Sequence, residues 1–299
     1  MTINWRKGVG ILTSIYVSRM LGMFMVFPIF SLYANQLEGA TPKMVGLALG
    51  IYGLTQGLLQ IPFGLLSDYV ERKIVIAGGL ILFVVGSLIA AMADSIAMMI
   101  IGRAIQGMGA ISSVTLAYTT DITPENKRGK VMAIIGGSIG LSFVLSLILG
   151  PILAQVFGVR ELFFMIALMA ASAFIASLFL PRTATPLPTE PSMGQYDKIA
   201  LWQASGAIFM THALFTASFV VLPILLQAFL VDKSAQWWIY LPANLLALAL
   251  MRYKAIPHPL NFGMSFMLLA LGLGAMSLLS SFWGVFIAIS LFFYCFLSS

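Results

Sequence analysis

Cysteine is almost missing from this chain, with Cys295 standing alone among 299 residues. One thiol excludes an internal disulfide, and with only two histidines beside it there is no thiolate or His–Glu spacing for a metal centre. Charge is scarce too. Lys, Arg, Asp and Glu together make 9% of the residues, against about 25% in soluble proteins, which excludes an ordinary water-exposed surface. A phosphate-binding glycine loop and a sizeable soluble segment are also lacking, so nothing points to an enzyme. The formal charge of +6 raises nucleic acid as a partner. The basic residues are scattered between apolar runs rather than gathered in a patch, and no nucleic-acid contact is expected.

Apolar residues fill the chain, at 60% with a mean hydropathy of +1.01. They form runs near 8–33, 43–66, 73–93, 95–119, 130–157, 161–180, 199–230, 235–251, 260–279 and 282–297. Since about 20 apolar residues cross a bilayer as a helix, this predicts an all-α, multi-pass membrane protein with about ten transmembrane helices. The runs at 235–251 and 282–297 lie at the lower limit for crossing. Arg6 and Lys7 precede the first run as in a signal peptide. That run is about twice a signal peptide's apolar region and has no small-residue cleavage site, so it reads as a retained helix. Eleven basic residues (Arg6, Lys7, Arg72, Lys73, Lys127, Arg128, Lys130, Arg182, Lys198, Arg252 and Lys254) fall on one side and three (Lys43, Arg160, Lys233) on the other. That bias predicts a cytoplasmic N-terminus.

Residues 181–198, with four prolines and charge at both ends, read as a cytoplasmic linker. It separates a six-helix bundle at 1–180 from an incomplete bundle of about four helices at 199–299.

Asp and Glu all fall in loops or at helix ends. The ionisable groups left inside the spans are Arg19, Arg103 and His212. A buried cation costs at least about 2.5–3.5 kcal/mol, so these should face protein rather than lipid. Arg19 lies roughly 16 Å from one end of its span and Arg103 roughly 12 Å from the opposite end of another, at 1.5 Å per residue. The two guanidiniums are expected near one level. Arg103 is read either as a gating or coupling group or as an arginine satisfied by neighbouring carbonyls. Arg19 carries the same two readings. His212 could titrate near neutrality or be a packed, hydrogen-bonded residue. Tyr52, Gln56 and Gln60 share a helix face, lining a cavity or bonding a neighbouring helix. Met23, Phe27 and Phe30 are candidates for a cavity wall or plain lipid-facing filler. Small residues recur at Gly46, Gly50, Gly53 and Gly57, and again at Ser138, Ser142, Ser146 and Gly150, which predicts close helix packing on both stripes. Gly150-Pro151 should add a kink.

Between the second and third runs stands Gly64-Leu-Leu-Ser-Asp68-Tyr-Val-Glu-Arg72-Lys73. It resembles the G-x-L-x-D-x-x-G-R-R/K loop signature of the major facilitator superfamily, with Tyr69 in place of the usual Arg and Glu71 in place of the second Gly. Arg103-Ala-Ile-Gln106-Gly107-Met-Gly109 resembles the R-x-x-Q-G-x-G motif on helix four of drug–proton antiporters. Arg19-Met-Leu-Gly22 with Pro28 resembles helix one of the YajR-like branch. Gly136, Gly140 and Gly150-Pro151 are similar to the antiporters' fifth-helix motif. The resemblance implies twelve helices in two bundles of six, each made of two inverted three-helix repeats, so two more helices would be needed than the runs supply. It implies an inner latch between Arg72 and Asp121, while the helix that Asp68 would cap is expected beyond Ser299. It also implies a secondary transporter exporting small lipophilic molecules in exchange for protons, without a cofactor. The protein would be a monomer in a bacterial inner membrane, with lipid, substrate and protons as its partners. Two other readings are a truncated, transport-inactive member of the family and a membrane receptor or sensor.

Overall fold

The computed structural model describes residues 5–181, 198–228 and 237–252, with Leu271, Phe286, Ile287, Ile289 and Ser290 beyond them. Its helices are α1 (Trp5–Phe24), α2 (Phe27–Ala34), α3 (Pro42–Tyr69), α4 (Arg72–Ala91), α5 (Ile96–Met108), α6 (Ser112–Ile122), α7 (Glu125–Phe157), α8 (Val159–Ser177), α9 (Lys198–Ala228) and α10 (Trp237–Arg252). Backbone polar groups cannot stay unpaired in hydrocarbon, and helices satisfy them within one segment. Six spans among the described residues are long and apolar enough to cross a membrane: Trp5–Ala34, Pro42–Tyr69, Arg72–Ala91, Ile96–Ile122, Glu125–Phe157 and Val159–Ser177.

The chain divides into two units, Met1–Pro191 and Ser192–Ser299. The first holds α1 to α8. The second holds α9 and α10, which match the seventh and eighth apolar runs. The ninth and tenth runs, and linker residues 182–197, lie outside the described residues apart from the few named above.

Two runs drawn from sequence as single helices are broken. The first parts at Met25–Val26 and the fourth at Gly109–Ile111. Pro28 explains the first break, because it has no N–H to offer the carbonyl of Phe24 one turn back. Each break rests on a glycine of a neighbouring helix. A Cβ on Gly150 of α7 would collide with the Met25 carbonyl oxygen, and one on Gly79 of α4 would collide with Ile111. Each broken run is also the first of its group of three spans.

Short loops are fixed by caps. Thr41 and Ser95 accept hydrogen bonds from the N–H groups of Met44 and Met98 and start α3 and α5. The Glu38 N–H donates to the Asp94 carbonyl and the Ile96 N–H to the Glu38 carbonyl, tying the first loop to the third. Arg160 donates to the last carbonyls of α4 at Ala91 and pairs with Asp94 at 3.1 Å.

The two small-residue stripes meet different fates. On α7, Ser146 reaches the Leu21 carbonyl and Gly150 is pressed on Met25, so this stripe packs on the first span. On α3 a Cβ at Gly46, Gly50, Gly53 or Gly57 would meet nothing within 4 Å among the described residues. The close packing expected of that stripe is not seen among the described residues. The first unit buries α3 through Val45, Ala48, Leu49 and Tyr52 instead, and leaves the glycines outward. The helix continues unbroken through Pro151, inside α7.

Candidate functional site

The largest fully buried side chain among the described residues is Arg103, 0% exposed on α5. Small residues bring the surrounding backbones close enough to enclose it. A Cβ at Gly107 would strike the Tyr52 carbonyl and Thr55 hydroxyl of α3, and one at Gly86 would strike the Gln106 backbone. Thr55 also donates to the Ala104 carbonyl at 3.0 Å. Gly109 abuts the Gly79 carbonyl where α5 ends. The glycines of the Arg-x-x-Gln-Gly-x-Gly stretch thus let α5 sit against α3 and α4, and its Arg and Gln point into the space between.

There Arg103 Nη1 donates to Gln106 Oε1 at 2.5 Å, and Gln106 Nε2 donates to the Ser87 hydroxyl at 2.8 Å. The guanidinium lies over the Tyr52 ring at 4.6 Å and the Phe30 ring at 5.8 Å. Cation–π contacts of this kind gain strength when desolvated. Nε and Nη2 have no hydrogen-bond partner.

Arg19 belongs to the same cluster. It is 4% exposed, its Cζ lies 5.6 Å from the Phe83 ring centroid, and Nη1 donates to the Ser112 hydroxyl at 3.2 Å. Tyr16 donates to the Ser112 carbonyl at 2.6 Å, so the start of α6, just past the break, is held by the first span. Phe83 and Tyr52 meet edge to face at 6.4 Å. Two buried arginines are therefore joined through two aromatic rings. The acids of the described residues, Glu38, Asp68, Glu71, Asp94, Asp121, Glu125 and Glu161, stand in loops or within a turn or so of helix ends, so neither guanidinium has a carboxylate beside it.

A second charged cluster lies at the end of the bundle. Arg72, 7% exposed, places Nε 3.1 Å from Asp121 Oδ2 and Nη2 3.9 Å from Asp68. Lys73 donates to the carbonyls of Leu178 and Leu180 at 2.6 and 3.2 Å, and the Tyr118 hydroxyl donates to the Pro181 carbonyl. At Gly64 a Cβ would meet only Ser113 Oγ at 3.5 Å, an ordinary contact, so helix packing within this unit does not demand a glycine there.

Of the remaining candidates, Phe27 is buried edge to face with Phe24, and Met23 is half-buried against the core. Gln56 is half-buried, and Gln60 has a buried, unpartnered Oε1. Gly150 and Pro151 serve the α7 contact already described. His212 is exposed on α9, in the second unit. Sequence reasoning missed Ser87, Phe83 and Ser112. The usable signal was Gly79 and Gly86 on α4, seven apart, marking the face that receives α5 and its break.

The sequence matches the family model of the Major Facilitator Superfamily over residues 12–299. It is 40% identical over 255 residues to the inner membrane transport protein YajR of Escherichia coli (strain K12), covering 83% of this chain and 56% of that protein. It is 27% identical over 214 residues to the quinolone resistance protein NorA of Staphylococcus aureus (strain MSSA476), covering 70% of this chain and 53% of that protein. Among solved structures, a bacterial homologue of the human lysosomal transporter Spinster, inward-facing and unoccupied, superposes with a TM-score of 0.70 at 15% identity, covering 98% of this chain and 74% of that one. The chain spans about half the length of the curated relatives it matches.

Proposed function

The chain belongs to the major facilitator superfamily, a family of membrane transporters rather than enzymes, and from that premise we propose proton-coupled efflux of small lipophilic compounds by alternating access. The supporting observation is Arg103: a fully enclosed guanidinium, lying on aromatic faces, with two unpartnered nitrogens and no carboxylate beside it among the described residues. An uncompensated charge at depth is expensive. Its energy changes when a proton or a charged substrate arrives or leaves, which is what coupling requires. Gln106 orients Arg103, Arg19 shares its cluster, and His212 is the coupling candidate of the other unit. Tyr52, Gln56, Gln60, Met23, Phe27 and Phe30 supply the cavity side. Arg72 and Asp121, with Asp68 beside them, act as an inner latch favouring the outward-open state, and Gly150-Pro151 gives α7 its bending point. The protein works as a monomer in a bacterial inner membrane, N-terminus in the cytoplasm, with residues 181–198 linking the two bundles. A relative whose name records quinolone resistance favours lipophilic drugs as substrates.

The test is dye efflux from proteoliposomes under an imposed pH gradient. Flux that rises with the gradient and vanishes in Arg103→Met supports the reading. Flux equal with and without the gradient would leave a uniporter.

A further inference from the structure

A groove of about 880 Å³ runs along the outside of the first unit between α1, α7 and α8. It lies on the face of α1 opposite Arg19. Its floor carries Gly10 and Ser14, both exposed, and its walls carry Val17, Leu21, Ile134 and Met169. Ser18 of α1 and Ser172 of α8 both donate to the Met169 carbonyl, at 2.9 and 2.7 Å, so these hydroxyls are occupied. Thr13 Oγ1 is buried and has no partner. The mouth is lined by Arg6 from the first turn of α1 and by Lys127 and Lys130 from the first turns of α7. All three are exposed, and no carboxylate pairs with them among the described residues. Trp5 lies beside them under the Arg6 guanidinium, 5.5 Å from ring centroid to Cζ.

We propose that this groove holds an anionic phospholipid, its phosphate at Arg6, Lys127 and Lys130 and its acyl chains along α1. The spacing of chemistry along the groove follows the lipid. Unpaired cations stand at the helix ends, where headgroups lie, and Trp is a residue of that interface. Below them the hydroxyls of Ser14, Ser18 and Ser172 are turned onto backbone carbonyls, and the rest of the lining is mainly apolar. A lipophilic substrate of either charge does not need three cations at the rim; a basic mouth over an apolar slot selects an anionic head carrying tails.

The test is native mass spectrometry of the detergent-solubilised chain, titrated with phosphatidylglycerol or with phosphatidylcholine of the same tails. One phosphatidylglycerol should be retained in preference to phosphatidylcholine. Lys127→Gln/Lys130→Gln should weaken it at least about tenfold, each lost charge near a headgroup counting roughly fivefold, whereas Lys43→Gln/Arg128→Gln should leave it unchanged. Ser14→Trp keeps every charge but fills the slot, and should also release the lipid. Thermal melting of each variant confirms that it is folded. Equal retention of both lipids, equal loss in the two double variants, or retention in Ser14→Trp overturns the proposal. So does displacement by inorganic phosphate alone, which would reduce the site to an anion contact.

Discussion

Arg103 and Arg72 are both buried in the same bundle, at 0% and 7% exposure, and are held in opposite ways. Arg72 has two acids, Asp121 at 3.1 Å and Asp68 at 3.9 Å, near the membrane edge where water still reaches them. Arg103 has rings and an amide in place of acids; its Nε and Nη2 lack hydrogen bonds, as does Arg72 Nη1. An acid beside Arg103 would have neutralised it and closed the site. Leaving acids out of the depth keeps that charge available, while supplying them at the edge makes a contact that can be made and broken cheaply. On the proposed function, one arginine is reserved for whatever enters, while the other is paired with the protein's own acids.

The sharpest way to break this contrast is to replace each by methionine. Arg103→Met should abolish efflux yet melt no lower than the parent, because removing a buried, unpaired charge relieves its desolvation. Arg72→Met should leave measurable efflux and melt lower, by about 1 kcal/mol for a partly exposed pair. Identical behaviour in flux and melting assays would erase the distinction. Next in size is Gln106→Glu, which gives Arg103 the carboxylate it lacks. It should raise the melting temperature and slow efflux several-fold; faster efflux would mean that the vacancy is not what matters. Gly107→Ala should follow, driving α5 away from Tyr52 at a cost of about 1–3 kcal/mol, while Gly53→Ala, on the open stripe, changes melting little. The smallest effect belongs to Asp121→Asn. It should modestly increase labelling of cysteines introduced at the cytoplasmic end, and unchanged labelling would argue against a latch.

The fold was largely legible because hydrocarbon allows so few solutions. Apolar runs and basic loops locate six of the spans, and the seven described acids lie where the sequence placed them, in loops or towards helix ends. Arg103 and Arg19 were legible as odd charges in apolar runs, and the structure sets them against the neighbouring Tyr52 and Phe83 rings. What could not be read was direction. Periodicity puts Gly50 and Ser146 on equally plausible packing stripes, and only the identity of the facing helix shows that, among the described residues, one is covered and the other is not. The helix breaks were half visible, since Pro28 announces the first. The second depends on Gly79 being small in another helix, and residues 109–111 by themselves do not reveal that partner.

Lys73 and Tyr118 have a mechanical consequence. Together they clamp the backbone at Leu178, Leu180 and Pro181, just past the end of α8. Lys73 is the neighbour of Arg72, and Tyr118 lies one turn before Asp121. The backbone there is therefore held by a cleat whose two jaws neighbour the two halves of the ion pair. Tension on the segment after Pro181 would load Arg72 and Asp121 before it reached the core, and parting that pair would slacken the segment's anchorage.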